Sequence, residues 1–226
     1  MLFRSPMDKI IIIGSSSHAR VVIDIVEQEG RYKIAGLLDR YRKEGEQTLG
    51  YDVLGKEEDL PLLMKSHALK SIIVAIGDNF ARSQVVTQTM NLCSGLLFVS
   101  AIHPKASIAR DVSIGEGTVI MAGVTVNPCS KIGRFCILNT SSSLDHDSIM
   151  DDFSSLAPGV TTGGLCKVGA YAAVSIGAVL IDRVCVGEHT IIGAGSTVFG
   201  NIESGKLAYG TPARVIRKRN PGDKYL

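Results

Sequence analysis

The 226-residue sequence predicts a small α/β domain of Rossmann type followed by a parallel β-helix. From Ile108 to Val198 an aliphatic residue recurs at every sixth position, with Thr162 as the only exception, and no insertion breaks the register. Before this repeat, short apolar runs alternate with helix-like segments, which is typical of a small parallel sheet. We place the domain boundary so that the α/β domain spans residues 1–102 and the β-helix spans 103–226.

Composition excludes several classes of protein. The chain is 45% hydrophobic and 20% charged, which argues against disorder as its main state. The net charge of +2 gives no general attraction to nucleic acid or an anionic membrane. The early apolar run at residues 10–13 is too short for a signal peptide or a membrane span, so we expect a cytoplasmic protein without membrane insertion. Five cysteines without CxxC spacing are expected to be small buried thiols rather than disulfides.

The α/β domain is predicted from the order of its elements. Strands are expected at residues 9–14, 33–39, 71–76 and 96–100. A helix is expected at 19–29, with Ser17 as its N-cap, and a second helix after Asn79. Ligands bind such sheets beyond the carboxyl ends of the strands. These ends are the turn at 14–18, the pair Asp39-Arg40 and the turn at 77–79, so we expect a ligand there.

The first of these turns is rich in serine rather than glycine. Ser16 and Ala19 stand where a GxGxxG motif has its second and third glycines, so the sequence gives little support for a dinucleotide. A helix N-terminus still offers free N–H groups to a phosphate, and the serine hydroxyls add donors. A domain of about 100 residues suits a mononucleotide better than a dinucleotide.

The repeat predicts the geometry of the second domain. Each hexad is interpreted as a short strand plus a corner, and three hexads close a triangular coil of 18 residues, so sixteen hexads form about five coils. The aliphatic residue fills the interior, and a small or β-branched residue four positions later fits beside it. The Gly, Asn and Asp residues that often follow the aliphatic residue are expected to supply the unusual corner dihedral angles.

His146 is the strongest candidate for chemistry. It lies two positions after the interior Leu144, so its side chain should point outward at a corner, between Asp145 and Asp147. Adjacent carboxylates raise the basicity of an imidazole and hold one tautomer. One coil further on lies Gly164, which leaves room for a thin substrate arm. The alternative is a solvated surface histidine.

Other features have simpler interpretations. His189 is expected at the equivalent position of its hexad and is interpreted as a surface residue, because it lacks the two flanking acids. His103, His146 and His189 are separated by 43 residues, which is not a multiple of 18, so three histidines do not stack as a β-helical zinc site requires and we expect no metal. The segment 206–219 is expected to cap the β-helix, and its basic cluster could also meet a phosphate.

The motif Leu138-Asn139-Thr140-Ser141-Ser142-Ser143-Leu144-Asp145-His146-Asp147, with the opening at 10–19 and the segment 210–213, resembles a known family. It is similar to the bacterial nucleotide-linked aminosugar N-acetyltransferases, with sialic acid O-acetyltransferases as close relatives. The likeness covers nearly the whole chain. These proteins join a small nucleotide-sugar domain to a left-handed β-helix, so the resemblance implies the left-handed form here.

The resemblance also implies roles for particular residues. His146 would be the general base, and Asp147 would tune it. Acetyl-CoA would lie along the β-helix between two subunits of a homotrimer. Family members often have a second histidine at 153–155, where this chain has Ser155. The implied acetyl-CoA contacts are Ser155, Gly164, Ile176, Ala194, Pro212 and Arg214. The implied nucleotide-sugar contacts are Gly14, Ser16, Ser17, His18, Asp39, Arg40, Gly77, Asp78 and Asn79.

The activity implied is acetyl-CoA-dependent N-acetylation of a nucleotide-linked 4-amino-4,6-dideoxy-type sugar for polysaccharide biosynthesis. We expect the amine to attack the thioester directly, with the backbone N–H of Gly164 as oxyanion donor. No cysteine lies in the motif, so no covalent acyl-enzyme is expected. One alternative is O-acetylation of sialic acid or a related sugar. Another is a scaffold protein without catalysis.

Overall fold

The computed structural model describes residues 8–66 and 69–223. The chain divides into two compact units, Met1–Pro104 and Lys105–Leu226. The first unit is an α/β domain and the second is a parallel β-helix.

The first unit is built on a parallel sheet in which β1 and β5 are the two central strands. The strand order is β2-β1-β5-β6. The chain therefore passes from β1 to β2 on one side of it, and then crosses to β5 and β6 on the other side. The side chains of Ile10 to Ile13 are completely buried in β1. The elements of this unit are β1 (Asp8–Ile13), α1 (Ser17–Glu29), β2 (Tyr32–Leu38), β3 (Gln47–Thr48), β4 (Tyr51–Asp52), a 3₁₀ turn (Glu57–Asp59), α2 (Leu60–Ser66), β5 (Ser71–Val74), α3 (Asn79–Leu92), β6 (Leu97–Phe98) and β7 (Ala101–Ile102).

Two details differ from the sequence-based expectation. Helix α1 begins at Ser17 and its N-cap is Ser16, one residue earlier than predicted, while Gly30 ends it in the left-handed conformation. The sequence did not predict the hairpin formed by β3 and β4. Its two turn residues, Leu49 and Gly50, both have positive φ, as a type I′ turn requires. Leu49 occupies the position where Asn or Asp would have signalled this turn.

The second unit confirms the hexapeptide β-helix. Its two-residue strands pair in parallel with the strands one coil away, as in Thr125 with Ser143 and Val126 with Leu144. The strands are β8 (Ser107–Ile108), β9 (Ser113–Ile114), β10 (Val119–Ile120), β11 (Thr125–Val126), β12 (Lys131–Ile132), β13 (Ile137–Leu138), β14 (Ser143–Leu144), β15 (Ile149–Met150), β16 (Ser155–Leu156), β17 (Thr161–Thr162), β18 (Lys167–Val168), β19 (Ala173–Val174), β20 (Val179–Leu180), β21 (Cys185–Val186), β22 (Ile191–Ile192), β23 (Thr197–Val198), β24 (Lys206–Gly210) and β25 (Ala213–Lys218).

These strands form three faces of a prism. Face A contains β10, β13, β16, β19 and β22 and continues into β24 and the antiparallel β25. Face B contains β8, β11, β14, β17, β20 and β23. Face C contains β9, β12, β15, β18 and β21. The recurring aliphatic residue fills the interior, because Val126, Leu144 and Leu180 have at most 1% of their surface exposed.

The corner dihedral angles are supplied at a different position from the one predicted. From Asp111 to Gly195 every sixth residue has positive φ, three positions after the interior aliphatic residue, and most of these residues are not glycine. The glycine directly after the aliphatic residue serves close approach instead. A Cβ atom on Gly133 would lie 2.8 Å from the backbone nitrogen of Asp152 on the next coil. The expectation that these glycines shape the corner was therefore wrong.

The small residue beside the interior aliphatic residue ties adjacent coils together. The hydroxyl of Ser130 donates to the carbonyl oxygen of Asp145 at 2.8 Å and accepts the backbone N–H of Ser148 at 3.3 Å. Ser148 repeats the second bond by accepting the N–H of Cys166 at 3.1 Å. Buried hydroxyls need such partners, since an unpaired one is costly in the interior. These bonds support the corner at residues 145–148 from inside.

The cysteines follow the prediction only in part. All five are free thiols. Cys136 and Cys166 are buried at the small position of their hexads, whereas Cys129 is exposed because it lies at a corner with φ 63°.

Candidate active site

His146 lies on an outward-facing corner between β14 and β15. Its side chain is 55% exposed. Its Nδ1 atom is 2.8 Å from Oδ2 of Asp147. Asp147 has φ 56°, and its backbone N–H donates to the carbonyl of Pro128 on the preceding coil at 3.1 Å. The corner conformation therefore places the carboxylate of Asp147 beside the imidazole.

The electrostatic environment favours the protonated form of His146. The hydrogen bond to Asp147 is the main cause that raises the pKa of His146, and the nearby carboxylates of Asp145 and Asp182 raise it further. In the neutral imidazole, a hydrogen bond from Nδ1–H to Asp147 leaves Nε2 with its lone pair available. The pair can therefore accept a proton at Nε2.

Two consecutive glycines make room for the imidazole and for a carboxylate. A Cβ atom on Gly164 would lie 2.5 Å from Nε2 of His146, and a Cβ atom on Gly163 would collide with Oδ1 of Asp182. The backbone N–H of Gly164 donates to Oδ1 of Asp182 at 2.9 Å. That N–H, expected to be an oxyanion donor, is thus already used within the corner.

Asp145 anchors the backbone of the same corner. Its Oδ1 accepts the backbone N–H of His146 at 2.7 Å and the side-chain amide of Asn127 at 2.5 Å. The bond from Asn127 is the main cause that lowers the pKa of Asp145, followed by the bond from His146. The sequence analysis missed Asn127 and Asp182. Both could have been found by stepping 18 residues from Asp145 and from Gly164.

The expected acetyl-CoA contacts are distributed over two corners, one face and the end of the β-helix. Gly164 lies at the corner of His146. Ile176, which is 61% exposed, and Ala194 lie on the next corner, at the opposite edge of face B, where the N–H of Gly195 donates to the carbonyl of Ile176. Ser155 lies in β16 on face A.

The remaining two expected acetyl-CoA contacts lie at the end of the β-helix. Pro212 lies in the connection between β24 and β25, and Arg214 is exposed in β25.

His189 does not occupy the position of His146 in its hexad. It lies one position later, at the positive-φ site, and its ring stacks on Tyr171 with centroids 4.6 Å apart. Tyr171 stacks in turn on Phe153, and Phe153 on Phe135, so the four rings form a column along one corner. Burial is the main cause that lowers the pKa of His189. The expectation of an equivalent position was wrong, because 43 residues is also not a multiple of six.

The first unit contains a cavity at the carboxyl ends of β1 and β2. Its volume is about 350 Å³. Four of the expected nucleotide-sugar contacts line this cavity together: Gly14, Ser16, Asp39 and Arg40. Asp39 accepts the backbone N–H and the hydroxyl of Ser15 at 2.9 and 2.6 Å, so it fixes the turn after β1.

Arg40 is held at this cavity by two other elements. Its Nε lies 3.3 Å from Glu57 of the 3₁₀ turn, and its Nη2 donates to Gln88 of α3 at 2.8 Å. The charge of Glu57 is the main cause that raises the pKa of Arg40. Glu57 and Gln88 also line the cavity, and the sequence analysis missed both, because it did not predict the 3₁₀ turn that carries Glu57 and did not single out Gln88 within its second helix.

The other expected contacts lie outside the lining of this cavity. Ser17 is the first residue of α1, and Asp78 caps α3 by accepting the N–H of Ala81 at 2.8 Å. Asn79 is buried and accepts a hydrogen bond from Arg82 at 2.7 Å.

His18 lies beside Gly77, since a Cβ atom on Gly77 would be 3.8 Å from its ring. Burial, and then the charge of Arg82, lowers the pKa of His18 to about 4, so this imidazole is neutral at physiological pH.

Within residues 8–66 and 69–223, no group of three or more His, Cys, Asp and Glu side chains is arranged to hold a metal ion. The described helices are all too short or too polar to cross a bilayer.

Comparison with known proteins identifies relatives of both units. Residues 9–89 match the family model of the PglD N-terminal domain. UDP-N-acetylbacillosamine N-acetyltransferase from Bacillus subtilis (strain 168) is 31% identical over 116 residues, which are 51% of this chain and 52% of that protein. The match thus spans about half the length of this relative.

Solved structures match over almost the whole chain. A mutant of GDP-perosamine N-acetyltransferase from Caulobacter crescentus, in complex with CoA and GDP-perosamine, is 34% identical with a TM-score of 0.88, covering 94% of this chain and 99% of that one. The acetyltransferase domain of PglB from Neisseria gonorrhoeae FA1090, in complex with acetyl coenzyme A, is 30% identical with a TM-score of 0.84, covering 93% and 100%.

The fold and the histidine corner, together with these matches, define a β-helical sugar acetyltransferase. The chain belongs to the family of left-handed β-helix N-acetyltransferases that includes GDP-perosamine N-acetyltransferase. Its N-terminal part carries the PglD N-terminal domain. The family resemblance and the fold class predicted from the sequence, including the left-handed form, are confirmed.

Proposed function

We propose that the chain transfers the acetyl group of acetyl-CoA to the amino group of a nucleotide-linked 4-amino-4,6-dideoxy-type sugar. One observation carries the proposal: the half-exposed imidazole of His146, with Nδ1 on Asp147 and Nε2 over Gly164. The relatives that contain CoA and GDP-perosamine, or acetyl coenzyme A, support the choice of substrates.

The reaction proceeds by direct transfer. The sugar amine attacks the thioester carbonyl, and Nε2 of His146 takes a proton from the nitrogen as the tetrahedral intermediate forms. The intermediate then expels the CoA thiolate, which receives the proton from the imidazolium. Asp147 holds the tautomer and stabilises the imidazolium. A positioned general base of this kind contributes roughly 10²–10⁴-fold.

The oxyanion is not assigned to the backbone N–H of Gly164. That group donates to Asp182, which is a charged acceptor and holds it in place. Gly164 acts through the absence of a side chain, since a Cβ atom there would block Nε2 of His146.

Acetyl-CoA is proposed to lie along the β-helix, with Ser155, Gly164, Ile176, Ala194, Pro212 and Arg214 as its contacts. Face B and its corners expose several large apolar side chains, which favours their burial against cofactor and a second protomer: Leu165, Ile176, Val179 and Ile181. A homotrimer with active sites between subunits accounts for this surface.

The nucleotide-sugar is assigned to the first unit. The cavity lined by Gly14, Ser16, Asp39 and Arg40 lies at the carboxyl ends of β1 and β2, where α/β sheets bind ligands. The residues outside its lining remain part of the proposed contact set: Ser17, His18, Gly77, Asp78 and Asn79. A cytoplasmic location and a role in polysaccharide biosynthesis complete the proposal.

The test is a thiol-release assay with acetyl-CoA and a panel of nucleotide-linked aminosugars plus free sialic acid. Wild-type protein is expected to release CoA with an aminosugar acceptor. CoA release with sialic acid, and with none of the aminosugars, would instead indicate O-acetylation. If none of the acceptors gives CoA release, this result would contradict the enzymatic proposal and favour a scaffold.

A further inference from the structure

The corner that presents His146 is anchored at its first residue by three neighbouring coil positions. The backbone N–H of Asp145 donates to the hydroxyl of Thr162 at 3.0 Å, and its carbonyl oxygen accepts the hydroxyl of Ser130 at 2.8 Å. Its Oδ1 accepts the amide of Asn127, 18 residues earlier, and the backbone N–H of His146. The backbone and the carboxylate of Asp145 are therefore both fixed.

We propose that Asp145, held by Asn127 on the preceding coil, is a positioning residue that aims His146 at the acceptor amine. The inference rests on the proposed function and extends it to two residues outside the His146–Asp147 pair. Asp145 and Asn127 act through His146 and need not touch either substrate.

Positioning is needed because His146 is an exposed side chain on a two-residue turn. Asp147 fixes the ring through Nδ1, and its own backbone N–H is bonded to Pro128, but neither bond holds the backbone nitrogen of His146. Asp145 fixes the backbone nitrogen of His146 relative to the preceding coil, through the bond to Asn127. A shift of about 1 Å in a reacting group can cost about 100-fold in rate. The Asn127–Asp145 contact therefore limits the motion that would misplace Nε2.

Asp145 also contributes charge. The carboxylate of Asp147, which contacts the ring, and the charges of Asp145 and Asp182 each raise the pKa of His146. The bonds from Asn127 and from the His146 N–H keep Asp145 ionised by lowering its pKa. Position and charge can be separated, because Asn127→Ala removes the anchor and leaves the charge, whereas Asp145→Asn removes the charge and leaves a carbonyl acceptor.

The experiment measures kcat, KM and the pH dependence of kcat/KM for wild type, Asn127→Ala and Asp145→Asn. Asp152→Asn is the matched control, because Asp152 likewise accepts a backbone N–H, that of Arg134, but on a different corner. We expect Asn127→Ala to lower kcat about tenfold or more with both KM values unchanged. Asp145→Asn should move the acid limb of kcat/KM to lower pH. The control should do neither.

A second measurement needs no substrate. The pKa of His146, followed by proton NMR titration, should fall in Asp145→Asn and stay unchanged in Asp152→Asn. If Asn127→Ala does not fold, as judged by circular dichroism, Asn127→Leu tests the same contact, because leucine is close to asparagine in size, has no N–H to donate to Asp145 and adds no charge. Wild-type kcat in the Asn127 variant, with an unshifted His146 titration in Asp145→Asn, would overturn the inference. Failure of wild type to acetylate any acceptor would instead overturn the proposed function.

Discussion

The Nδ1 atom of His146 and the Oδ2 atom of Asp147 lie 2.8 Å apart because Asp147 occupies the positive-φ position of its corner. In an extended chain, consecutive side chains point to opposite sides. The left-handed residue reverses the chain and brings two adjacent side chains to the same side. The proposed base and the acid proposed to orient it are thus encoded in one dipeptide.

The first prediction concerns that pair. Asp147→Asn should keep the corner, because Asn adopts the left-handed conformation at least as readily as Asp. Loss of the carboxylate removes the main cause that raises the pKa of His146, so this pKa should fall. A general base acts in its neutral form, and the acid limb of kcat/KM should therefore move to lower pH while kcat falls about tenfold or more. A pH–rate profile measures both, and an unshifted limb would contradict the role of Asp147.

The second prediction concerns the space above the imidazole. Gly164→Ala would place a Cβ atom 2.5 Å from Nε2 of His146, so turnover should fall about 100-fold as the ring is displaced. Gly200→Ala is the matched control, because its added Cβ atom would meet nothing within 4 Å. Both variants should keep the circular dichroism spectrum of the wild type. Normal kcat in Gly164→Ala would show that Nε2 does not need this space.

The third prediction concerns the hydroxyls inside the β-helix. Ser130→Ala removes the donor to Asp145 and the acceptor for Ser148, so it should destabilise the fold by about 1–3 kcal/mol. Ser142 is equally buried at the same hexad position, but its hydroxyl has no hydrogen-bond partner among the described residues. Ser142→Ala should therefore be neutral or stabilising. Urea unfolding measures the free energy of unfolding of both variants. Equal losses of stability in the two variants would contradict the role assigned to the Ser130 hydroxyl.

The fourth prediction concerns the cavity of the first unit. Asp39→Ala removes the acceptor of both hydrogen bonds from Ser15 and so releases the turn after β1. KM for the nucleotide-sugar should rise about tenfold, which corresponds to the loss of one to two hydrogen bonds. KM for acetyl-CoA should not change. The control is Asp24→Asn, which alters a surface carboxylate of α1 that pairs with Gln28. Equal effects on both KM values would separate Asp39 from nucleotide-sugar binding.

Much of the second unit could be predicted because its energetics repeat. Each hexad buries one aliphatic residue, such as Leu144. The positions of these aliphatic residues are enough to predict the period of six and the coil of 18 residues. The same arithmetic placed His146 and Gly164 together. Their proximity could be predicted because the two residues are separated by one coil of 18 residues.

The features that could not be predicted depend on contacts outside the hexapeptide repeat, or on backbone conformations for which the residue present has no strong preference. Positive φ at Phe135, Phe153 and Tyr171 is imposed by the coil and not by local preference. In the first unit, Arg40 is held by Glu57 and Gln88, which come from two distant elements. Only the tertiary structure brings these three side chains together.

The central claim is tested most directly by identifying the acetylated product of wild type and of His146→Ala by mass spectrometry, with acetyl-CoA and a nucleotide-linked aminosugar. We predict an N-acetylated sugar with wild type and a rate at least about 100-fold lower in His146→Ala, whose fold should be intact. Wild-type turnover by a folded His146→Ala variant would contradict the account.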